Sequence, residues 1–64
     1  MQIKLAACRA NSGMTQEEFS KALGVGLMTY NSWEKGKVEP PYSKVRKISE
    51  LSGIPIDYIV TKSN

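Results

Sequence analysis

The stretch TQEEFSKALGVGLMTYNSWEKG, residues 15–36, decides the fold. It reads as two short helices with a tight turn between them. Thr15 followed three residues later by Glu18 is a capping box: the threonine oxygen takes the Glu18 N–H while the carboxylate reaches back to the Thr15 N–H. Phe19, Ala22 and Leu23 then form an apolar stripe at helical spacing, and Gly24 stops the helix. Only Val25 and Gly26 separate that stop from a second helix, predicted over residues 27–35. In it Tyr30 and Trp33, three apart, face inward together, and Gly36 closes it.

The same punctuation extends outward. Each of the five glycines falls at a gap between apolar-periodic segments, and they divide the chain into five predicted helices. The first covers residues 2–11, with Leu5, Cys8, Ile3 and Ala6 toward one face and Gly13 as its end. Residues 37–41 form no helix, because Pro40 and Pro41 exclude one. The fourth covers residues 42–52 with Val45, Ile48 and Leu51 inward. The fifth opens on Pro55 and carries Ile56, Ile59 and Val60, with Ile59 in the core. Residues 61–64 are a frayed tail, and no segment reads as a strand. The expected fold class is all-α, one compact five-helix domain over residues 1–64.

Composition narrows what such a domain does. With 64 residues and 41% hydrophobic content it has enough for one core and no more. Cys8 is the single cysteine and histidine is absent, so there is no intrachain disulfide and no familiar zinc-ligand set. The six carboxylates are scattered and there is no Gly-rich phosphate loop, which leaves an enzyme without a catalytic constellation. No cofactor, metal or small-molecule ligand is suggested. Neither a membrane span nor a signal peptide is visible, so a cytoplasmic protein is expected. The net charge of +3 permits nucleic acid as a partner without requiring it.

Two helices joined by a glycine turn describe a helix-turn-helix, in DNA-binding examples of which the second helix enters the major groove. An ordinary αα-hairpin has the same outline. The run TQEEFSKALGVGLMTYNSWEKGKVEPP, residues 15–41, resembles the Cro and lambda-repressor-like (XRE-type) helix-turn-helix family. LAACRANSGMTQ (residues 5–16) fits that family's first helix, with Cys8 where leucine is usual, and KISELSGIPIDYIV (residues 47–60) fits its last two. The resemblance places the helix-turn-helix at residues 16–35, in helices 2 and 3, and implies a role for each matched position. Ser20 lies at the close crossing of the two helices, and Gly24 supplies the left-handed turn residue. Phe19, Leu23, Val25, Tyr30 and Trp33 lock the pair. Arg9 and Glu34 form a largely buried ion pair whose disruption costs ~3–5 kcal/mol. Gln16 adds an amide hydrogen bond to a DNA phosphate at the start of helix 2.

By the same resemblance Leu27, Met28, Thr29, Asn31 and Ser32 read bases from helix 3, with Gly26 at its start. Lys35, Lys37 and Lys44 lie along the sugar-phosphate backbone. The sequence departs from the family pattern at Gly26, where serine or threonine is common, and at Leu27 and Met28, where polar or basic residues are. Leucine and methionine pack on thymine methyl groups and cannot hydrogen-bond a base edge. The function implied is a sequence-specific double-stranded DNA-binding regulator. A small phage- or mobile-element-type repressor, nucleoid-associated in a bacterial or infected cell, is the closest description. The chain is expected to lack a separate effector domain and to bind a palindromic operator as a homodimer through Pro41, Tyr42, Ile56 and Tyr58. The alternative is a protein-interaction or antitoxin module on the same fold, favoured by the apolar start of helix 3.

Overall fold

The computed structural model describes residues 2–61. Apart from Thr61, the tail expected over residues 61–64 lies outside them. Four helices carry the fold: α1 (Leu5–Asn11), α2 (Gln16–Leu23), α3 (Leu27–Glu34) and α4 (Tyr42–Ser52). They pack as two pairs, α1 against α4 and α2 against α3. Between the pairs lies one core of Leu5, Cys8, Phe19, Leu23, Tyr30, Trp33 and Ile48, with Ile3, Met14, Val25, Leu51, Ile54 and Ile59 against it. Phe19, Tyr30 and Trp33 meet edge to face in series, with centroids 5.5 and 6.2 Å apart, the arrangement aromatic quadrupoles prefer. Cys8 fills the leucine position of the first helix and is fully buried; burial pushes its thiol pKa up, so it acts as a small apolar side chain. Ala6 and Ala22, expected on inner faces, are exposed.

Both ends differ from the five-helix expectation. Residues 2–4 do not join α1: Ile3–Lys4 is a short strand, β1. The fifth helix is a single 3₁₀ turn, Ile56–Tyr58, with Pro55 just ahead of it, followed by strand β2 (Ile59–Val60). β1 and β2 pair in parallel, Ile3 beside Ile59 and Lys4 beside Val60. The physical reason is partly local and partly the distant partner strand. Ile56, Ile59 and Val60 are β-branched and stiff at χ1, and a run this short gains too few i→i−4 bonds to offset helix nucleation. The extended partner strand satisfies the backbone instead, and Ile3 and Ile59 close the core from one side.

The α2–α3 turn is built as the sequence requires. Gly24 has φ +76°, and two bonds close α2: Gly24 N–H to the Lys21 carbonyl at 3.0 Å and Val25 N–H to the Ser20 carbonyl at 3.0 Å. This is the Schellman pattern, which needs a left-handed residue. Gly26 is different. It is the α3 N-cap in extended conformation, φ −71°, and has no side-chain cap bond to offer. At the other end of α2 both halves of the capping box are formed, Glu18 N–H to Thr15 Oγ1 at 3.1 Å and Thr15 N–H to Glu18 Oε1 at 2.9 Å.

The two turn glycines therefore respond oppositely to a side chain. A Cβ at Gly24 would touch only Lys44 Nζ at 3.8 Å, so its cost is conformational, and at Gly26 it would meet nothing within 4 Å. Gly24→Ala is expected to cost ~1–2 kcal/mol, while Gly26→Ser is neutral or gains a few tenths. Urea denaturation midpoints test this: equal losses in the two variants would contradict the assigned backbone.

Candidate nucleic-acid interface

Helix α3 is held by its back and bare on its front. Tyr30 is fully buried and Trp33 is 5% exposed, whereas Leu27 is 46% and Met28 85% exposed, with Thr29 exposed beside them. The spacing is sufficient cause: residues 30 and 33 share one helical face and 27, 28 and 29 fall outside it. On α2, Ser20 is buried, and its Oγ donates back to the Glu17 carbonyl at 2.8 Å. Its hydroxyl is thus satisfied within its own helix.

The end of α3 is anchored through one carboxylate. Glu34 Oε2 accepts from Arg9 Nε at 2.7 Å and from the Tyr30 hydroxyl at 2.5 Å, while Oε1 accepts from Gln16 Nε2 at 2.9 Å. Arg9 also donates from Nη1 to the Met14 carbonyl at 3.2 Å, which ties the α1–α2 connection to the same point. Burial alone would raise the Glu34 pKa. The hydrogen bonds from Arg9, Tyr30 and Gln16, with the Arg9 charge, outweigh it and hold the carboxyl below its usual range. Burial and the Glu34 bond push the Tyr30 hydroxyl far up, so it remains a donor. Arg9 and Glu34 thus form the expected ion pair, their side chains 24% and 9% exposed.

The residues expected to face DNA fall into two groups. Leu27, Met28 and Thr29 are exposed at the start of α3 beside Gly26. Lys35 and Lys37 are exposed just after it. The others have intramolecular partners. Asn31 Nδ2 donates to Gln16 Oε1 at 3.1 Å, and Ser32 Oγ donates to the Met28 carbonyl at 3.1 Å. Lys44, read from sequence as a backbone-following cation, is half-buried, and its Nζ donates to the Leu23 carbonyl at 2.8 Å. It covers an orphan carbonyl at the α2 C-terminus, where a cation is favoured. Pro41, Tyr42 and Tyr58 are exposed and Ile56 is half-buried.

The helix-turn-helix family model matches residues 5–59, nearly the whole of the described chain. The chain belongs to the Cro/lambda-repressor-like helix-turn-helix family. Among its relatives is the cryptic phage CTXphi transcriptional repressor RstR of Vibrio cholerae, 35% identical over 94% of this chain and 54% of that protein. Another is the SPbeta prophage-derived HTH-type transcriptional regulator YonR of Bacillus subtilis, 30% identical over 89% of this chain and 53% of its own length. An HTH-type transcriptional regulator of Methanocaldococcus jannaschii is 39% identical over 92% of this chain and 89% of its own length. The chain spans about half the length of the first two relatives. No solved structure matches it at a significant level.

Within this family frame, sequence reading missed several contacts, Gln16–Glu34 among them. The Tyr30 hydroxyl reaches Glu34 from four residues back, a spacing that was available as a signal. The Gln16–Asn31 and Lys44–Leu23 contacts join residues far apart in the chain, and no local pattern announces them. Among the described residues no cluster of three or more His, Cys, Asp or Glu side chains forms a metal site, and no helix is long and apolar enough to cross a membrane.

Removing Glu34 strands the buried Tyr30 hydroxyl and unpairs Arg9, so Glu34→Ala is expected to cost ~3 kcal/mol. That is the low end for a broken buried pair, because Arg9 keeps contact with water. Because the folded-state pKa of Glu34 is depressed, its stabilisation is fully present above the unfolded carboxyl value and is lost as pH falls through the lower folded one. Thermal melts from neutral to strongly acidic pH should show that loss, and Glu34→Gln should lack this part of the acid slope. A Glu34→Ala variant as stable as the parent would refute the assigned role.

Proposed function

We propose that the chain is a sequence-specific double-stranded DNA-binding transcriptional regulator that lays α3 in the major groove. The observation that carries this reading is the two-faced α3: a fully buried back on a compact scaffold, and an uncovered front next to Gln16, Lys35 and Lys37. An α-helix with its side chains is about as wide as the B-DNA major groove, ~12 Å. Thr29, Asn31 and Ser32 supply polar groups toward base edges, and Leu27 and Met28 supply apolar contact to thymine methyls. Lys35 and Lys37 neutralise phosphates. Gln16, already tied to Glu34 by one amide N–H, keeps its second N–H for a phosphate oxygen. Lys44 contributes its charge from a fixed position at the end of α2.

The names of the relatives, a phage repressor and a prophage-derived regulator among them, support a small Cro-like repressor of phage or mobile-element type. Such a protein binds a palindromic operator as a two-fold dimer with half-sites about one helical turn, ~34 Å, apart. Exposed Pro41, Tyr42 and Tyr58, with half-buried Ile56, are the surface for that dimer.

A second reading rests on Met28, whose 85% exposure on an apolar helix start suits a protein partner. Selection from random double-stranded DNA separates the two. Enrichment of an inverted repeat is expected, and only weak binding abolished by salt would favour the protein partner. On an enriched site, Lys37→Ala should weaken binding uniformly across sequences. It should also lower the slope of log affinity against log salt by ~0.9, the contribution of one phosphate. An unchanged slope would remove Lys37 from the phosphate contacts.

A further inference from the structure

A chain of hydrogen bonds runs from the interior to the reading face of α3, and each member fixes the polarity of the next. Glu34 is an ionised carboxylate that only accepts, and it already takes Arg9 and Tyr30 on Oε2. The Gln16 amide must therefore turn its nitrogen toward Glu34, as it does at 2.9 Å. That places Gln16 Oε1 toward α3, where only a donor is accepted, and Asn31 meets it with Nδ2 at 3.1 Å. The Asn31 amide cannot flip without setting two carbonyl oxygens against each other. Its Oδ1 and its second N–H remain for a ligand, and among the described residues no protein group bonds to either.

We infer that Glu34, acting through Gln16, is a positioning residue that fixes the Asn31 amide so that it offers one acceptor and one donor to an adenine. The complementarity is direct: adenine presents N7 as acceptor and N6–H₂ as donor in the major groove, and an asparagine amide with one free N–H and a free oxygen matches both. This inference rests on the DNA-binding reading above. It adds a function to a pair of residues, Glu34 and Gln16, otherwise assigned to the scaffold and to a phosphate. It also gives α3 a fixed polar reader beside its apolar ones.

The decisive variant is Gln16→Met, which keeps side-chain length, removes both amide bonds and leaves the Arg9–Glu34 pair in place; Asn31→Ala is its companion. Sites selected by the parent protein are measured against every single-base substitution of the half-site. Asn31→Ala is expected to lose discrimination at one A·T pair. Gln16→Met is expected to lose about tenfold at that same pair, with ratios elsewhere unchanged and no further loss there in the double variant. Loss of a phosphate contact alone lowers affinity equally on all sites and does not move these ratios. In the free protein, the Asn31 side-chain amide resonances should shift toward those of a solvated asparagine on Gln16→Met. Three results overturn the inference: full discrimination retained by Gln16→Met, a pair other than A·T lost with Asn31→Ala, or unmoved Asn31 amide resonances. Failure of the parent protein to enrich any site would sink the DNA-binding reading itself, and this inference with it.

Discussion

A single carboxylate gathers three of the four helices. Glu34 ends α3, and the groups that bond to it come from α1 (Arg9), from the start of α2 (Gln16) and from one turn earlier in α3 (Tyr30). The aromatic series through Phe19, Tyr30 and Trp33 fills space but is indifferent to rotation of α3 about its axis by a few degrees. The directional bonds that reach Glu34 from Arg9 and Gln16 are not. They hold α3 at one angle to α2, and its outer residues inherit their geometry from that angle. A partly buried charge is kept here because every proton aimed at it is satisfied, which is the condition under which an interior carboxylate is tolerated.

Much of this was legible in the residues themselves, and what was not has a physical reason. Thr15–Glu18, Gly24 and the 30/33 spacing specify local conformation through neighbours within a turn, and the structure follows them closely. The Arg9–Glu34 pair came from family resemblance and not from spacing, since no local rule joins α1 to the end of α3. The fifth helix failed because Ile56, Ile59 and Val60 satisfy a helical pattern and an extended one equally over so few residues. The deciding partner, Ile3–Lys4, lies at the far end of the chain. Lys44 shows the same limit from the other side: a lysine near a binding helix reads as a surface charge until a carbonyl is found waiting for it.

The scaffold and the reading surface place different demands on the sequence. Glycine at position 26 leaves the first N–H groups of α3 without a side-chain cap, and the next two residues put leucine and methionine into water. None of this helps an isolated helix. The cost is tolerated because α3 is fixed by its back and its C-terminal end, through Trp33 and Glu34. Tertiary anchoring thus leaves the N-terminal turn free to carry side chains chosen for something other than stability.

The parallel ladder between β1 and β2 ties the start of the described chain to its end. It joins residues separated by nearly the whole described length, so forming it closes a long loop. Helices α2 and α3 meet as chain neighbours, whereas α1 reaches α4 across most of the chain, so the α1–α4 pair and the ladder share that long closure. Because Lys4 runs directly into Leu5, the ladder extends the α1–α4 side by one thin edge, and parting it would uncover Ile3 and Ile59, which pack against the rim of the core.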